Sequence, residues 1–483
     1  MRGFQIVFLI LGTLVLGFGA VAGLIGLASY GSVQDGAAAG FISCALVSTF
    51  VGGIMFVLGR GAERRIGFRS AVSLTAGAWT IMPLLGSIPL MADPVNLPFT
   101  KAVFEAVSGI TTTGSTVMSG LDDTAPTILF WRAFLQWIGG IGIIGLSIAI
   151  LPFLRVGGMQ LFHMESSDKS DDRVIARPSI FAATIFSLYL LLTILCLTGY
   201  GLTGMSAFDA ITHAMTTVST GGYSTSDSSM AAFSPGSQWV AIVFMAGGAI
   251  PFLAYVRLFN RHEGRRPGAF EEVTGLFALI AAFALIMMIA QAVGAQLTGD
   301  SLRLALFNVV SVITTSGYAV GDYQEWGSLA IAGFFVLTFL GGCAGSTSGG
   351  FKVFRIQIMV KSVWRAMQQA SSPHAVVVAR HAGQRLSNAD IASVALFAGL
   401  YVGCFALSSV LLAGLGLDFV TAITGAATAI ANVGPGLGDI IGPAGNFASL
   451  PDPALWILAF VMILGRLEIM VILLFLTPRF WNR

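Results

Sequence analysis

Long apolar runs separated by short polar ones dominate the chain. At about 20 residues per crossing, ten runs are long enough to span a bilayer: 4–30, 37–60, 70–92, 127–153, 179–200, 238–259, 270–296, 327–360, 390–415 and 454–477. Each predicts a helix, because in hydrocarbon a segment has to satisfy its own backbone N–H and C=O groups. The run at 4–30 is far longer than the apolar core of a secretory leader and only Arg2 precedes it, so it reads as a spanning helix.

Four shorter apolar stretches lie between these spans and repeat one pattern. They are 101–116 (KAVFEAVSGITTTGST), 209–224 (DAITHAMTTVSTGGYS), 304–319 (LALFNVVSVITTSGYA) and 421–436 (TAITGAATAIANVGPG), which align without a gap. The second position is always Ala (Ala102, Ala210, Ala305, Ala422), the eighth a small hydroxyl (Ser108, Thr216, Ser311, Thr428) and the fourteenth Gly (Gly114, Gly222, Gly317, Gly434). A repeat of this kind governs the whole fold. About 12 apolar residues precede each turn, too few to cross but the length of a re-entrant half-helix. The unit is span, re-entrant loop, span, stated four times, with the first two spans standing outside it as an extra pair.

Charge placement supports this topology. With Arg2 on the cytoplasmic side, the inner segments hold Arg60, Arg64, Arg65 and Arg69; Arg155, Lys169, Arg173 and Arg177; and Arg257, Arg261, Arg265 and Arg266. Lys352, Arg355, Lys361, Arg365, Arg380 and Arg385 follow, then Arg479 and Arg483. That places 21 of the 25 Lys and Arg inside, as the positive-inside rule requires. Only Lys101, Arg132, Arg303 and Arg466 remain, and the outer segments carry Asp35, Asp122, Asp123, Asp227, Asp322, Glu325, Asp439 and Asp452. Both termini are expected inside and the four loops outside.

Composition agrees. The 483 residues are 55% apolar and 10% charged, with mean hydropathy +0.85, against about 25% charged in soluble domains. The fold class is an all-α polytopic membrane protein of about ten spans, and the net charge of +2 says nothing about partners. Cys44, Cys196, Cys343 and Cys404 lie in apolar or Gly-rich surroundings without CxxC spacing, and read as packed thiols. No HExxH, GxSxG or strand-following GxGxxG is present, so no enzyme chemistry is visible.

A cation leaving water needs oxygens to replace its hydration shell, and rings of backbone carbonyls from converging loops supply them. Glycine permits the angles that turn such carbonyls inward, and a half-helix C-terminus adds the negative end of its dipole. Before their glycines the four loops carry Thr111, Thr112 and Thr113; Ser219, Thr220 and Gly221; Thr314, Thr315 and Ser316; and Ala431, Asn432 and Val433. One such loop on its own reads as close helix packing. Four in register, each between spans and on one side, favour a pore with approximate fourfold symmetry from one chain.

The order of these parts resembles the superfamily of Trk, Ktr and HKT cation transporters. The leading helix pair and the phrases GGIGIIG (139–145), MQLFHMESS (159–167), GGCAGSTSGGFK (341–352) and GRLE (465–468) resemble its TrkH/TrkG branch. The resemblance covers essentially the whole chain. It implies that the four Gly-centred loops form a potassium filter, with Thr112, Thr113 and Gly114; Thr220, Gly221 and Gly222; Thr315, Ser316 and Gly317; and Asn432, Val433 and Gly434 as its ion-binding residues. A Ser at the first glycine accompanies sodium permeation in plant relatives; Gly114 implies potassium. The fourth loop, which lacks the Thr of the others, is where the symmetry is expected to fail.

Two features lie at membrane depth. Arg466 is about 12 residues into the last span, where a charge faces a cavity or a partner; it pairs with Glu468 or a backbone carbonyl, or, as the resemblance implies, projects into the pore below the filter and tunes throughput. The Gly-rich stretch 341–350 interrupts the eighth span, and its lookalike for a phosphate loop fails because Phe351 stands where Lys is required. It reads as a close helix crossing through small residues or, by resemblance, as an intramembrane gating loop containing Gly341, Gly342, Gly345, Gly349 and Gly350. Glu105, His213, Asn308 and Gly425 share one repeat position with four chemistries, which suits local anchors of the half-helices.

The expectation is potassium uptake across a bacterial inner membrane, with potassium as the transported ion and no organic cofactor. Coupling of potassium to protons or sodium, or a non-conducting scaffold, are the other readings. The resemblance implies a TrkA-type cytosolic nucleotide-binding subunit as partner, a homodimer and contact with membrane lipid; no nucleic acid is expected. The expected organisation is a helix pair at 1–69 and pore repeats at 70–178, 179–268, 269–388 (with the break at 341–350) and 389–483.

Overall fold

The apolar runs fold as helices, and the only sheet among the described residues is a two-residue hairpin pairing Arg380–His381 with Gln384–Arg385. The computed structural model describes residues 2–30, 36–62, 67–149, 178–259, 270–294 and 297–481. The phrase at 159–167, Asp35, Arg64, Arg65, Arg155, Lys169, Arg173, Arg177, Arg261, Arg265, Arg266 and Arg483 lie outside the described residues.

Seven helices among the described residues are long and apolar enough to cross a membrane: Phe4–Tyr30, Ala38–Leu58, Phe68–Met91, Pro126–Gly145, Ala182–Leu202, Glu271–Gly294 and Asn388–Gly414. The runs at 238–259 and 454–477, expected as unbroken spans, are instead bent. Pro235–Gly248 meets Phe252–Leu258 at 91°, and Asp452–Arg466 meets Ile469–Leu476 at 109°. The first bend follows from chain chemistry, since Pro251 disfavours helix at Ile250 and follows a Gly247–Gly248 pair. At the second, Glu468 takes a left-handed φ of 57° and its carboxylate meets Arg355 at 2.6 Å. The eighth run stops as a helix at Phe339 and resumes at Val353, so its irregular segment extends slightly beyond the Gly-rich stretch.

The four repeated phrases form the half-helices Phe99–Ile110, Ala207–Val218, Ser301–Ile313 and Phe419–Ala431, of 12 or 13 residues. At 1.5 Å per residue they reach about 18–20 Å, short of a hydrocarbon core of about 30 Å. They lie in the middle of the protein: every residue from Ala102 to Ile110 is buried, and Ala426, Ala427, Thr428, Ala429 and Ile430 are fully inaccessible. Each packs against both helices of its own unit and against the second helix of the unit before it, the first half-helix closing on Asp452–Arg466 of the fourth unit. The units therefore stand in a closed ring in chain order. The leading pair packs along its own length, where a β-carbon on Gly12 would press on the backbone of Gly52 and Phe56.

Candidate functional site

The four half-helices end in the same backbone. The twelfth residue of each phrase is left-handed (Thr112 φ 52°, Thr220 φ 53°, Thr315 φ 57°, Asn432 φ 57°). Its N–H turns back to the carbonyl of Gly109, Thr217, Val312 or Ala429, and the next N–H reaches Ser108, Thr216, Ser311 or Thr428. This pair of reversed bonds is the Schellman ending, which normally places Gly at the left-handed position. A residue with a β-carbon there costs about 1–2 kcal/mol, and the chain accepts that cost at every loop. Asn tolerates left-handed angles better than Thr, so the sequence departure at Asn432 keeps the backbone of the other three loops.

The conserved position of the repeat explains itself in the next turn. Gly114, Gly222, Gly317 and Gly434 have φ of 87°, 77°, 77° and 114°. A β-carbon on Gly114 would fall under 3.0 Å from the carbonyl oxygen of Gly221, one on Gly222 from that of Ser316, one on Gly317 from that of Val433, and one on Gly434 from that of Thr113. Each glycine thus abuts the carbonyl of the following loop, and the fourth closes on the first. The fourth junction, at 2.8 Å, is the widest. Thr112 Oγ1 and Asn432 Oδ1 are buried here without a hydrogen-bond partner.

The residue after each glycine reaches the opposite way. Tyr223 donates to the carbonyl of Glu105 (2.8 Å), and the Tyr318 hydroxyl pairs with Thr216 Oγ1 (2.5 Å). Ser115 donates to the Gly434 carbonyl (2.8 Å), and Pro435, which has no donor, packs where a β-carbon on Gly317 would meet it at 3.1 Å. Behind the loops, Glu105 accepts from the Val117 amide (2.8 Å) and Asn308 from the Val320 amide (3.2 Å). His213 joins Ser224 Oγ (3.0 Å) and the Asp209 carbonyl (2.8 Å). These groups tie the first three half-helices to the strand-like segment that leaves each loop; the fourth has Gly425 at this position.

The segment 340–352 crosses beneath the ring. Its two ends are pinned together, Gly341 N–H to the Phe351 carbonyl (3.0 Å) and Phe351 N–H to that of Phe339 (3.0 Å). The Gly349 amide donates to Thr315 Oγ1 (2.7 Å), and Thr347 Oγ1 donates to the Gly248 carbonyl (2.9 Å) at the first helix bend. Gly345 accepts from Phe252 N–H (3.0 Å) and Gly342 from Val353 N–H (3.2 Å). Gly350 is left-handed at φ 69° and lies against Leu340 and Gly341. Arg466 donates from Nη2 to the Thr347 carbonyl (2.8 Å), while its Nε and Nη1 are buried without partners. Arg466 therefore meets a backbone carbonyl and not Glu468, which takes Arg355. Lys352 Nζ bonds the Ser348 carbonyl, and Glu272 accepts from the Ala344 amide (2.6 Å).

The glycines of the four loops thus meet in a ring, and the segment holding the five glycines of the break touches it at Thr315 and Ala431 and is bonded at Thr347 by Arg466. Sequence reading gave no site role to Arg132, Gln136, Tyr223, Tyr318, Lys352 and Glu272. The signal for the tyrosines was their shared repeat position, and for Arg132 its place among the few cations outside the inner segments. Among the described residues no group of three or more His, Cys, Asp and Glu suits a metal ion; the oxygens of the ring are uncharged.

Comparison with known proteins fits this architecture. The family model for TrkH, cation transport protein, matches residues 41–482. The Trk system potassium uptake protein TrkI of Halomonas elongata is 45% identical over 85% of this chain and 83% of that protein. TrkH of Escherichia coli K12, also named a Trk system potassium uptake protein, is 33% identical over 99% of both chains. The crystal structure of the potassium transporter TrkH from Vibrio parahaemolyticus matches with a TM-score of 0.89 at 32% identity, over 99% of each chain.

Proposed function

The chain belongs to the TrkH family of cation transport proteins, and on that premise we propose that it takes up potassium through a pore enclosed by its own four loop ends. The observation that carries this reading is the closed series of glycine-to-carbonyl approaches from Gly114 through Gly222 and Gly317 to Gly434. A ring of uncharged oxygens in a rigid backbone suits a large, weakly hydrated monovalent cation. Thr112, Thr113, Thr220, Gly221, Thr315, Ser316, Asn432 and Val433, with the four glycines, are its filter residues on this reading. Potassium is the cargo.

The segment 340–352 is the gate, and Arg466 adds a fixed positive charge that limits cation residence below the filter. Support comes from the bonds of Thr315 and Arg466 to that segment. The protein is a multi-pass component of a bacterial inner membrane, built as a leading helix pair (1–69) and four pore repeats. Both termini face the cytoplasm, following the charge pattern. Its relatives carry the name of a Trk system, so it works within one; a TrkA-type nucleotide-binding subunit is the expected cytosolic partner and a homodimer the expected assembly.

The test is uptake of rubidium and sodium into liposomes holding the purified full chain, with and without such a partner. Selective rubidium flux with a reversal potential set by potassium alone supports the pore; one that shifts with an imposed proton or sodium gradient replaces it with coupled transport. No cation flux under any condition sinks the reading.

A further inference from the structure

One span reaches across to a loop that is not its own. In the helix Pro126–Ala149, Arg132 and Gln136 are four residues apart and so share a face. Both are buried, Arg132 at 1% and Gln136 at 0% exposure. Gln136 Nε2 donates to the Gly221 carbonyl (2.6 Å), and its Oε1 accepts the Tyr223 amide (3.0 Å). Gly221 O is the oxygen that abuts Gly114. Among the described residues it is the only one of the four junction oxygens that accepts from a side chain.

Arg132 works one turn away. Its Nε meets Glu105 Oε1 at 2.8 Å, Nη1 donates to the Ser224 carbonyl at 3.2 Å, and Nη2 donates to Thr116 Oγ1 at 3.1 Å. The guanidinium lies 4.1 Å from the centre of the Tyr223 ring. A charge buried this deeply is tolerated only when its partners are all in place, and here the partners belong to two loops: Glu105 and Thr116 to the first, Ser224 and Tyr223 to the second. Among the described ion pairs this is the one with both side chains buried, at 1% and 0% exposure.

We propose that Arg132 and Gln136 are positioning residues for the second loop, and that with Glu105 they set the spacing at the first-to-second junction on which discrimination between potassium and sodium depends. The inference rests on the potassium-pore reading. Whether a filter selects by cavity size or by the number and field of its oxygens, the Gly221 oxygen must be held in place. Gln136 holds it and also draws on its lone pair.

The test is the ratio of initial rubidium to sodium uptake in liposomes holding the full chain. Gln136→Met keeps the volume and removes both bonds; Arg132→Lys keeps the charge and removes the fork. Each is expected to lower the ratio roughly three- to tenfold, the worth of one net hydrogen bond. The double variant Glu105→Gln with Arg132→Met removes the buried charges together and is expected to fold with the same low ratio. A Gln136→Met protein that keeps the wild-type ratio overturns the proposal, as does a fall in both uptakes with the ratio unchanged. A wild-type protein without discrimination overturns the potassium reading instead.

Discussion

The hydroxyl of Thr315 accepts the amide of Gly349 at 2.7 Å, so a residue of the third loop holds the segment that crosses beneath it. The same Thr carries left-handed backbone angles at φ 57°. One residue thereby belongs to the ring and to the segment under it, and if that segment is the gate, as proposed, opening it would break this bond.

Thr315→Val, which keeps the side-chain shape, is therefore expected to raise the leak through the resting protein by about fivefold, the effect of losing a bond worth about 1 kcal/mol. Thr315→Ser retains the hydroxyl and should behave as wild type. Single-channel open probability of the two variants decides; equal values would remove Thr315 from the gate.

Arg466→Gln should raise rubidium throughput. A unit charge about 10 Å from a cation, at an effective dielectric constant of about 20, opposes it by roughly 1.7 kcal/mol, or roughly twentyfold in occupancy. The variant also frees the Thr347 carbonyl, so the increase should appear both in conductance and in open time. Unchanged flux at saturating rubidium would remove the charge from the conduction path.

Gly222→Ala and Gly317→Ala should each abolish selective flux. Both place a β-carbon against a neighbouring backbone carbonyl and both sit at φ 77°, so neither collision can be relieved by a side-chain rotation. Alanine at Gly145, where a β-carbon meets open space, is the control and should leave flux intact. Selective rubidium uptake surviving in either loop variant would contradict the ring.

The hairpin of Arg380–His381 and Gln384–Arg385 should loosen in acid. It docks on Glu271, which accepts the Ala382 amide (2.8 Å) and pairs with Lys361, while Lys361 also donates to the Arg380 carbonyl (2.7 Å). Burial holds the His381 imidazole below its ordinary range, outweighing the carboxylate of Glu271, which pulls it up; Lys361 pushes it further down. The docked form thus binds that proton less readily than the free hairpin does. Docking is at full strength above about pH 6.5 and is lost as the pH falls below it. Amide exchange in the hairpin, corrected for intrinsic rate, should quicken between about pH 7.5 and about pH 5.5, and His381→Phe should remove the dependence. Exchange that stays constant rejects the docking role of His381.

Repetition, apolar length and Gly content make the half-helices, their glycines and the broken eighth span legible in the sequence. The bends are not, because hydropathy is blind to direction: 238–259 stays apolar across Ala249, Ile250 and Pro251, and only the Gly–Gly–x–x–Pro order marks the corner. For Arg466 the sequence left Glu468 and a backbone carbonyl both open, and the structure has the carbonyl, that of Thr347. Glu468 is two residues away in sequence, yet its left-handed backbone turns it toward Arg355. Gln136 shows a different limit. Its bond to Gly221 spans 85 residues, and a polar residue in a span does not announce which loop it serves.

The ring is closed by one polypeptide, with Gly434 meeting Thr113 where a symmetric assembly would have a fourth identical subunit. In such an assembly every substitution is made four times over, and a change that weakens one wall weakens all. Here a mutation alters a single quadrant. The wall containing Asn432 departs from the threonine of the other three and still keeps their left-handed turn. If the ring is the filter, as proposed, substitutions away from its four glycines can therefore test ion preference one quadrant at a time.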